Sequence, residues 1–246
     1  MDYQHQPEPN PEIQKILNEF QSFYYLRINS RRQEHLASLG LDLQGKRIWE
    51  VSAGIGDHTS FFIDRNCAVM CSEVRPELLA VLKQRYPELT VLQLDLEKPD
   101  PKFPGEFDVI YCYGVLYHIR TPRPALEFMA SRCRSTLLLE TCVSDDDQPS
   151  EHHLEELSTL YSQAVGGVGC RPSRVWVFQQ LKELFPFVYL PLTQPNHEQF
   201  PIEWSGKRAA DGTLRRAIFI ASRREIQNEL LSRELLRLQK RHRMSY

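Results

Sequence analysis

Two acids at the ends of apolar runs, a glycine-rich turn and three histidines are the residues of this 246-residue chain whose types and spacing could do chemistry. The turn is Glu50-Val51-Ser52-Ala53-Gly54-Ile55-Gly56. Gly54 and Gly56 lack a Cβ, so the backbone there can bend sharply and approach a ligand closely. Glu73 follows 17 positions after Gly56, where the next apolar run ends, and Asp95 ends the run after that. A carboxylate at Glu73 can accept from both hydroxyls of a ribose, and one at Asp95 from an exocyclic adenine amine. A dinucleotide site wants G-x-G-x-x-G with a pyrophosphate on the helix N-terminus. Here Thr59 stands in the third glycine position and Asp57 opens the helix, where a carboxylate opposes phosphate. A nucleoside with a positive centre and no phosphate fits this turn better than NAD.

His118 comes just after the fourth predicted strand, where the site of an open α/β sheet should lie. If the reacting group is a hydroxyl, its proton must leave, and His118 is the first candidate base. His153 and His197 fall in less regular segments near the expected mouth and are the further candidates. Each histidine has a plainer reading as a structural or solvent-facing side chain. Arg27, Arg31 and Arg32 lie upstream, and Arg31 is taken as the candidate partner for a ligand carboxylate. His152, His153 and residues 145–147 could in principle hold a metal. The acidic run reads more simply as a solvated loop, so no metal is expected.

These residues need a scaffold. Residues 1–10 read as a flexible tail, and apolar residues from Ile13 to Leu39 recur at helical spacing, a helical cap over 11–40. Strands are expected at 47–51, 68–72, 90–94, 107–112 and 136–140, with helices at 59–64, 76–85 and 124–132. This alternation implies a parallel sheet covered on both faces. A helix-like insert over 151–169, a helix at 174–184 and late strands at 188–192 and 217–221 follow. Segments 144–175 and 193–215 are the expected acceptor-side insert and loop of a domain spanning 11–222. Residues 223–246 read as a basic C-terminal helix.

The bulk numbers narrow the class. A hydrophobic fraction of 41% supports one sizeable core, and a net charge of −2 disfavours a dedicated nucleic-acid binder. No apolar run reaches membrane-spanning length and the start has no secretory signal, so a cytoplasmic protein without a membrane partner is expected. The six cysteines form no CxxC pair and read as buried reduced thiols.

The turn Glu50 to Gly56 resembles the E-x-G-x-G-x-G motif of class I (Rossmann-like) S-adenosylmethionine (SAM) dependent methyltransferases, with Ser52 in place of the first glycine. Glu73, with Val74 beside it, looks like that family's ribose-binding acid. Asp95-Leu96 resembles its adenine-site pair. Phe107-Asp108-Val109-Ile110 and the following Tyr113-Gly114-Val115-Leu116-Tyr117-His118-Ile119 resemble its fourth motif. The resemblance implies a doubly wound, mostly parallel seven-stranded sheet with an antiparallel last strand, SAM as cofactor and S-adenosylhomocysteine (SAH) as product. It places Glu50, Ser52, Ala53, Gly54, Gly56, Glu73, Val74, Asp95, Leu96 and Tyr113 around the cofactor. The expected acceptor is a small molecule methylated on a hydroxyl, such as a sugar or secondary metabolite. A non-catalytic SAM-binding protein is one alternative. Leu116-Tyr117-His118 and the later Arg171-Pro172-Ser173 are also similar to enzymes that modify the tRNA wobble base, so an RNA acceptor is another, with the basic terminal helix as its footprint. A homodimer through the terminal helices is a further expectation.

Overall fold

The computed structural model describes residues 10–204 and 214–243. The expected flexible tail, Asn10 apart, lies outside the described residues, as do 205–213 of the long loop and 244–246.

The chain opens with two helices whose starts are written in short polar residues. In α1 (Pro11–Phe20) the Asn10 side chain accepts from the Glu12 N–H, and proline occupies the first turn. In α2 (Phe23–Ser38) the Ser22 hydroxyl does the same for Tyr25. The alternating core follows: β1 (Arg47–Glu50), α3 (Thr59–Ile63), β2 (Ala68–Glu73), α4 (Pro76–Arg85), β3 (Thr90–Gln93), β4 (Phe107–Tyr113), a 3-10 turn at Leu116–His118, α5 (Pro122–Arg132) and β5 (Cys133–Val143). The second half contains β6 (Glu151–Glu155), β7 (Val168–Pro172), α6 (Arg174–Leu184), β8 (Phe187–Pro191), β9 (Thr193–Gln194), β10 (Arg215–Ser222), β11 (Leu231–Ser232) and β12 (Lys240–Arg241).

The main sheet runs β11-β8-β10-β5-β4-β1-β2-β3. From β3 to β5 its neighbours are parallel, while β10 is antiparallel to both β5 and β8. This is the expected doubly wound, mostly parallel sheet. The two-residue edge strand β11 makes eight strands where seven were expected. Successive side chains of a strand point to opposite faces, so each inner strand feeds two cores. Trp49, Leu137, Leu139 and Phe219 join one core, while Ile48, Leu138, Ile218 and Ile220 join the other. All six cysteines are free thiols, and five are buried.

Two expectations are corrected. The insert over 151–169 is not helical: β6 pairs antiparallel with β7 in a hairpin. Gly167, at φ +71°, takes a conformation that a helix cannot use. Residues 223–243 form no helix either. They run as an extended strap pinned through β11 and β12. Two of its arginines reach main-chain carbonyls: Arg223 binds Cys133, Leu184 and Ala130, and Arg241 binds Pro195, His197 and Phe200. Among the described residues no helix is long and apolar enough to cross a membrane.

Candidate active site

β1 ends at Glu50, and the chain then turns through three left-handed residues: Ser52 (φ 50°), Gly54 (58°) and Gly56 (81°). The Ala53 N–H donates to the Ser72 carbonyl at 2.9 Å, and the Gly54 N–H to Glu73 Oε2 at 3.0 Å. Glu73 Oε1 accepts from the Val74 and Arg75 N–H groups at 2.9 and 3.0 Å. Burial raises the Glu73 pKa, while these three N–H bonds and Arg75 pull it back. Glu50 braces the base of the turn: its Oε2 accepts from the Thr59 hydroxyl at 2.6 Å. Burial pushes its carboxyl up to about 7, against the bonds from Thr59 and Cys71.

Ser52 stores strain, since a side chain at positive φ costs roughly 1–2 kcal/mol, part of which glycine's extra unfolded-state entropy offsets. Ser52→Gly is expected to raise stability by about 0.5–1 kcal/mol in urea unfolding. A loss of stability instead would mean that the serine side chain anchors the turn.

The turn opens into a cavity of about 410 Å³, within the range of small-ligand sites. Glu50, Ser52, Ala53, Gly54, Glu73 and Val74 line it. So do Asp95, Leu96, Tyr113 and His118, so ten of the fourteen expected site residues meet in one place. Phe20 and Tyr25 cover it from the N-terminal helices, and residues 161–166, in the segment joining β6 to β7, close it.

The other four lie outside the cavity lining. A Cβ on Gly56 would sit 2.6 Å from both Leu82 and Tyr86, so this glycine makes room for α4 packing. Arg31 pairs with Glu34 on its own helix; its neighbour Arg32 is the one turned inward. His153 is exposed and engages the Arg120 carbonyl through Nε2 at 2.9 Å. His197 is buried, its Nδ1 accepts from the Gln199 N–H, and burial lowers its pKa to about 4.

Several residues of the lining, and one bonded to it, were missed. Glu140, at 0% exposure, is held between Arg32 Nη2 at 2.7 Å and Arg216 Nη1 at 3.0 Å. Arg216 also donates to the Tyr117 hydroxyl at 3.1 Å and to Gln199 Oε1 at 2.8 Å, an acceptor shared with the Tyr24 hydroxyl. Two guanidiniums against one carboxylate leave a positive excess at this end of the cavity. His58 Nδ1 pairs with the Tyr111 hydroxyl at 2.8 Å, and burial lowers its pKa to about 3, so its ring is neutral. One sequence signal for Arg216 was available: paired arginines open an otherwise apolar strand.

Four buried polar atoms of cavity-lining residues have no partner: Arg32 Nε, Asp57 Oδ2, His58 Nε2 and the Tyr113 hydroxyl. Leaving such groups unmatched is costly, and a polar ligand relieves that cost. An acid-rimmed glycine turn at one end and a cationic, hydroxyl-rich end at the other fit a nucleoside joined to an amino acid, as in SAM. Glu73 and Asp95 would hold its nucleoside, with Arg32 near its carboxylate.

Residues 49–136 match the family model for a methyltransferase domain. The chain is 39% identical over 127 residues to a tRNA U34 carboxymethyltransferase of Syntrophotalea carbinolica, covering 48% of this chain and 38% of that protein. It is 33% identical over 122 residues to the protein of the same name from Alcanivorax borkumensis, covering 46% and 36%. The matches thus span less than two fifths of these relatives. By fold, the chain is similar to the N-terminal domain of EvdMO1 crystallised with SAH and D-fucose, with a TM-score of 0.61, 19% identity, and coverage of 80% of this chain and 83% of that one. It is also similar to magnesium protoporphyrin IX methyltransferase from Synechocystis with bound SAH, with a TM-score of 0.53, 16% identity, and coverage of 87% and 93%. Residues 49–136 therefore match a methyltransferase domain in sequence, and the chain has the class I, Rossmann-like fold of SAM-dependent methyltransferases.

Proposed function

We propose that the chain transfers the methyl group of SAM to a hydroxyl of a small acceptor bearing a negative charge, with His118 taking the hydroxyl proton. The observation that carries this reading is one cavity lined by the glycine turn, His118, Arg32 and Arg216, the two arginines being joined by Glu140. The donor supplies an already activated leaving group, so much of the work left to the protein is alignment. Glu73, Asp95 and the turn orient the donor. Arg216 and Tyr117 face an anionic acceptor, and His118 accepts its proton. Arg216, whose guanidinium lies 4.9 Å from the Tyr117 ring, supports a charged acceptor over a neutral sugar.

A second reading follows from the relatives named for tRNA U34: a donor whose sulfonium carries a carboxymethyl group, with tRNA as acceptor. The same cationic cluster would then face the carboxylate of the transferred group. Against it, two arginines of the C-terminal strap are spent on main-chain carbonyls. Incubation with methyl-labelled SAM, and in parallel with a carboxymethyl-sulfonium donor, distinguishes the two. Label from SAM in the small-molecule fraction of a cell extract, cut about a hundredfold or more by His118→Ala, supports the first. Label in tRNA from the carboxymethyl donor replaces it with the second. Undiminished turnover in His118→Ala removes His118 as the base.

A further inference from the structure

The hairpin insert brings to His118 a partner that the methyltransferase core does not supply. Glu156 follows β6 directly, and its side chain is only 3% exposed. Its Oε2 lies 2.5 Å from His118 Nδ1 and accepts from the Ala164 N–H at 2.7 Å, while Oε1 accepts from Arg171 at 3.0 Å. We propose that Glu156 is a positioning residue for His118, holding the proton on Nδ1 so that Nε2 faces the cavity as the base. The proposal rests on the role assigned to His118 above.

The donor and acceptor inventory decides the tautomer. An ionised carboxylate only accepts, so the ring nitrogen facing it must carry the proton, and the lone pair falls on Nε2. Burial raises the Glu156 pKa, but His118, Ala164 and Arg171 together outweigh it and leave the carboxyl more acidic than usual. Space has been made for this arrangement. A Cβ at Gly169 would lie 2.5 Å from both Glu156 Oε1 and the Tyr117 carbonyl. His118 itself is mostly buried yet lines the cavity.

The groups facing His118 come from several elements. Glu156 arrives from the hairpin, Arg171 from β7 and Arg216 from β10, and the Tyr117 ring lies 4.1 Å away centroid to centroid. Arg171 and Arg216 also flank Tyr117, at 4.8 and 4.9 Å from its ring. Burial lowers the imidazole's pKa, and both guanidiniums act the same way; Glu156 opposes them. The ring is thus neutral at rest, and the imidazolium formed on proton capture is paired at once with an anion. In that step the acceptor O–H bond breaks, its electron pair stays on oxygen and the proton bonds to Nε2. The arrangement suits a hydroxyl acceptor, whose proton must leave. Through Ala164, Glu156 also ties the base to the loop that closes the cavity.

The test is 15N NMR of the histidine rings in the full chain with SAH bound, titrated across neutral pH, with His118→Gln identifying the resonances. The expected wild-type state is Nδ1–H with a bare Nε2. Glu156→Gln keeps an acceptor but loses the charge, so the His118 midpoint should drop by about one pH unit or more. Glu156→Asp should restore most of it. A wild-type ring carrying its proton on Nε2, or an unchanged midpoint in Glu156→Gln, overturns the proposal. The wild-type spectrum decides alone if the variants do not fold. Calorimetry with SAH on the same samples separates the two layers: a wild-type chain that fails to bind SAH sinks the functional reading instead.

Discussion

Glu73→Ala is expected to weaken SAH binding by a hundredfold or more. Glu73 is 4% exposed and lies beneath the turn, so any hydrogen bond it makes to a ribose is sheltered from water. Hydrogen bonds to a charged group are worth about 1.5–3 kcal/mol each, and two of them to a ribose diol correspond to at least two orders of magnitude in affinity. The same substitution strips the Gly54, Val74 and Arg75 N–H groups of their acceptor, so the turn loses its brace as well. Asp95 is exposed, and Asp95→Ala should cost much less. Isothermal titration of both variants with SAH checks this ordering. Affinity within a few-fold of wild type in Glu73→Ala would show that the ribose sits elsewhere.

Glu140→Gln should be the most damaging isosteric change for stability. It leaves Arg32 and Arg216, both nearly buried, facing each other with an amide group that can satisfy only one of them. Breaking a buried charge pair typically costs 3–5 kcal/mol, about what is expected here. Glu183→Gln removes one of the two surface carboxylates paired with Arg123 and serves as the contrast, costing less than about 1 kcal/mol. Urea unfolding of the two variants tests the comparison. Equal losses would mean that the buried cluster adds nothing to stability beyond a surface pair.

The glycine-turn end of the cavity was legible because its signals are local. Glycines at the required left-handed positions sit within a few residues of Glu50, and Glu73 and Asp95 declare themselves by closing apolar runs. The opposite, cationic end is assembled by residues far apart in the chain, and nothing in the pattern around Glu140 says that Arg32 and Arg216 converge on it. Choosing Arg31 over Arg32 was an error of one position on a helix, where adjacent side chains point about 100° apart. The hairpin was mistaken for a helix because Leu154, Leu157 and Leu160 are spaced like a helical face yet remain solvent-exposed. The strap at 223–243 misled in the same way: its leucines and arginines suit a helix, and only the sheet edge they cover explains their extended form.

The placement of β10 between β5 and β8 orders events during folding. Arg216 meets Glu140 across 76 residues of sequence, and Arg32 meets it across 108. Contacts that distant form late, because closing long loops costs entropy before the contact repays it. As the chain is synthesised from its N-terminus, the strands beneath the glycine turn can assemble before the last inner strand exists. Until it docks, Glu140 lacks one of its two cations, and β5 and β8 present bare edges. The donor's half of the molecule can therefore mature first, and competence toward an acceptor arrives together with the closing of the sheet.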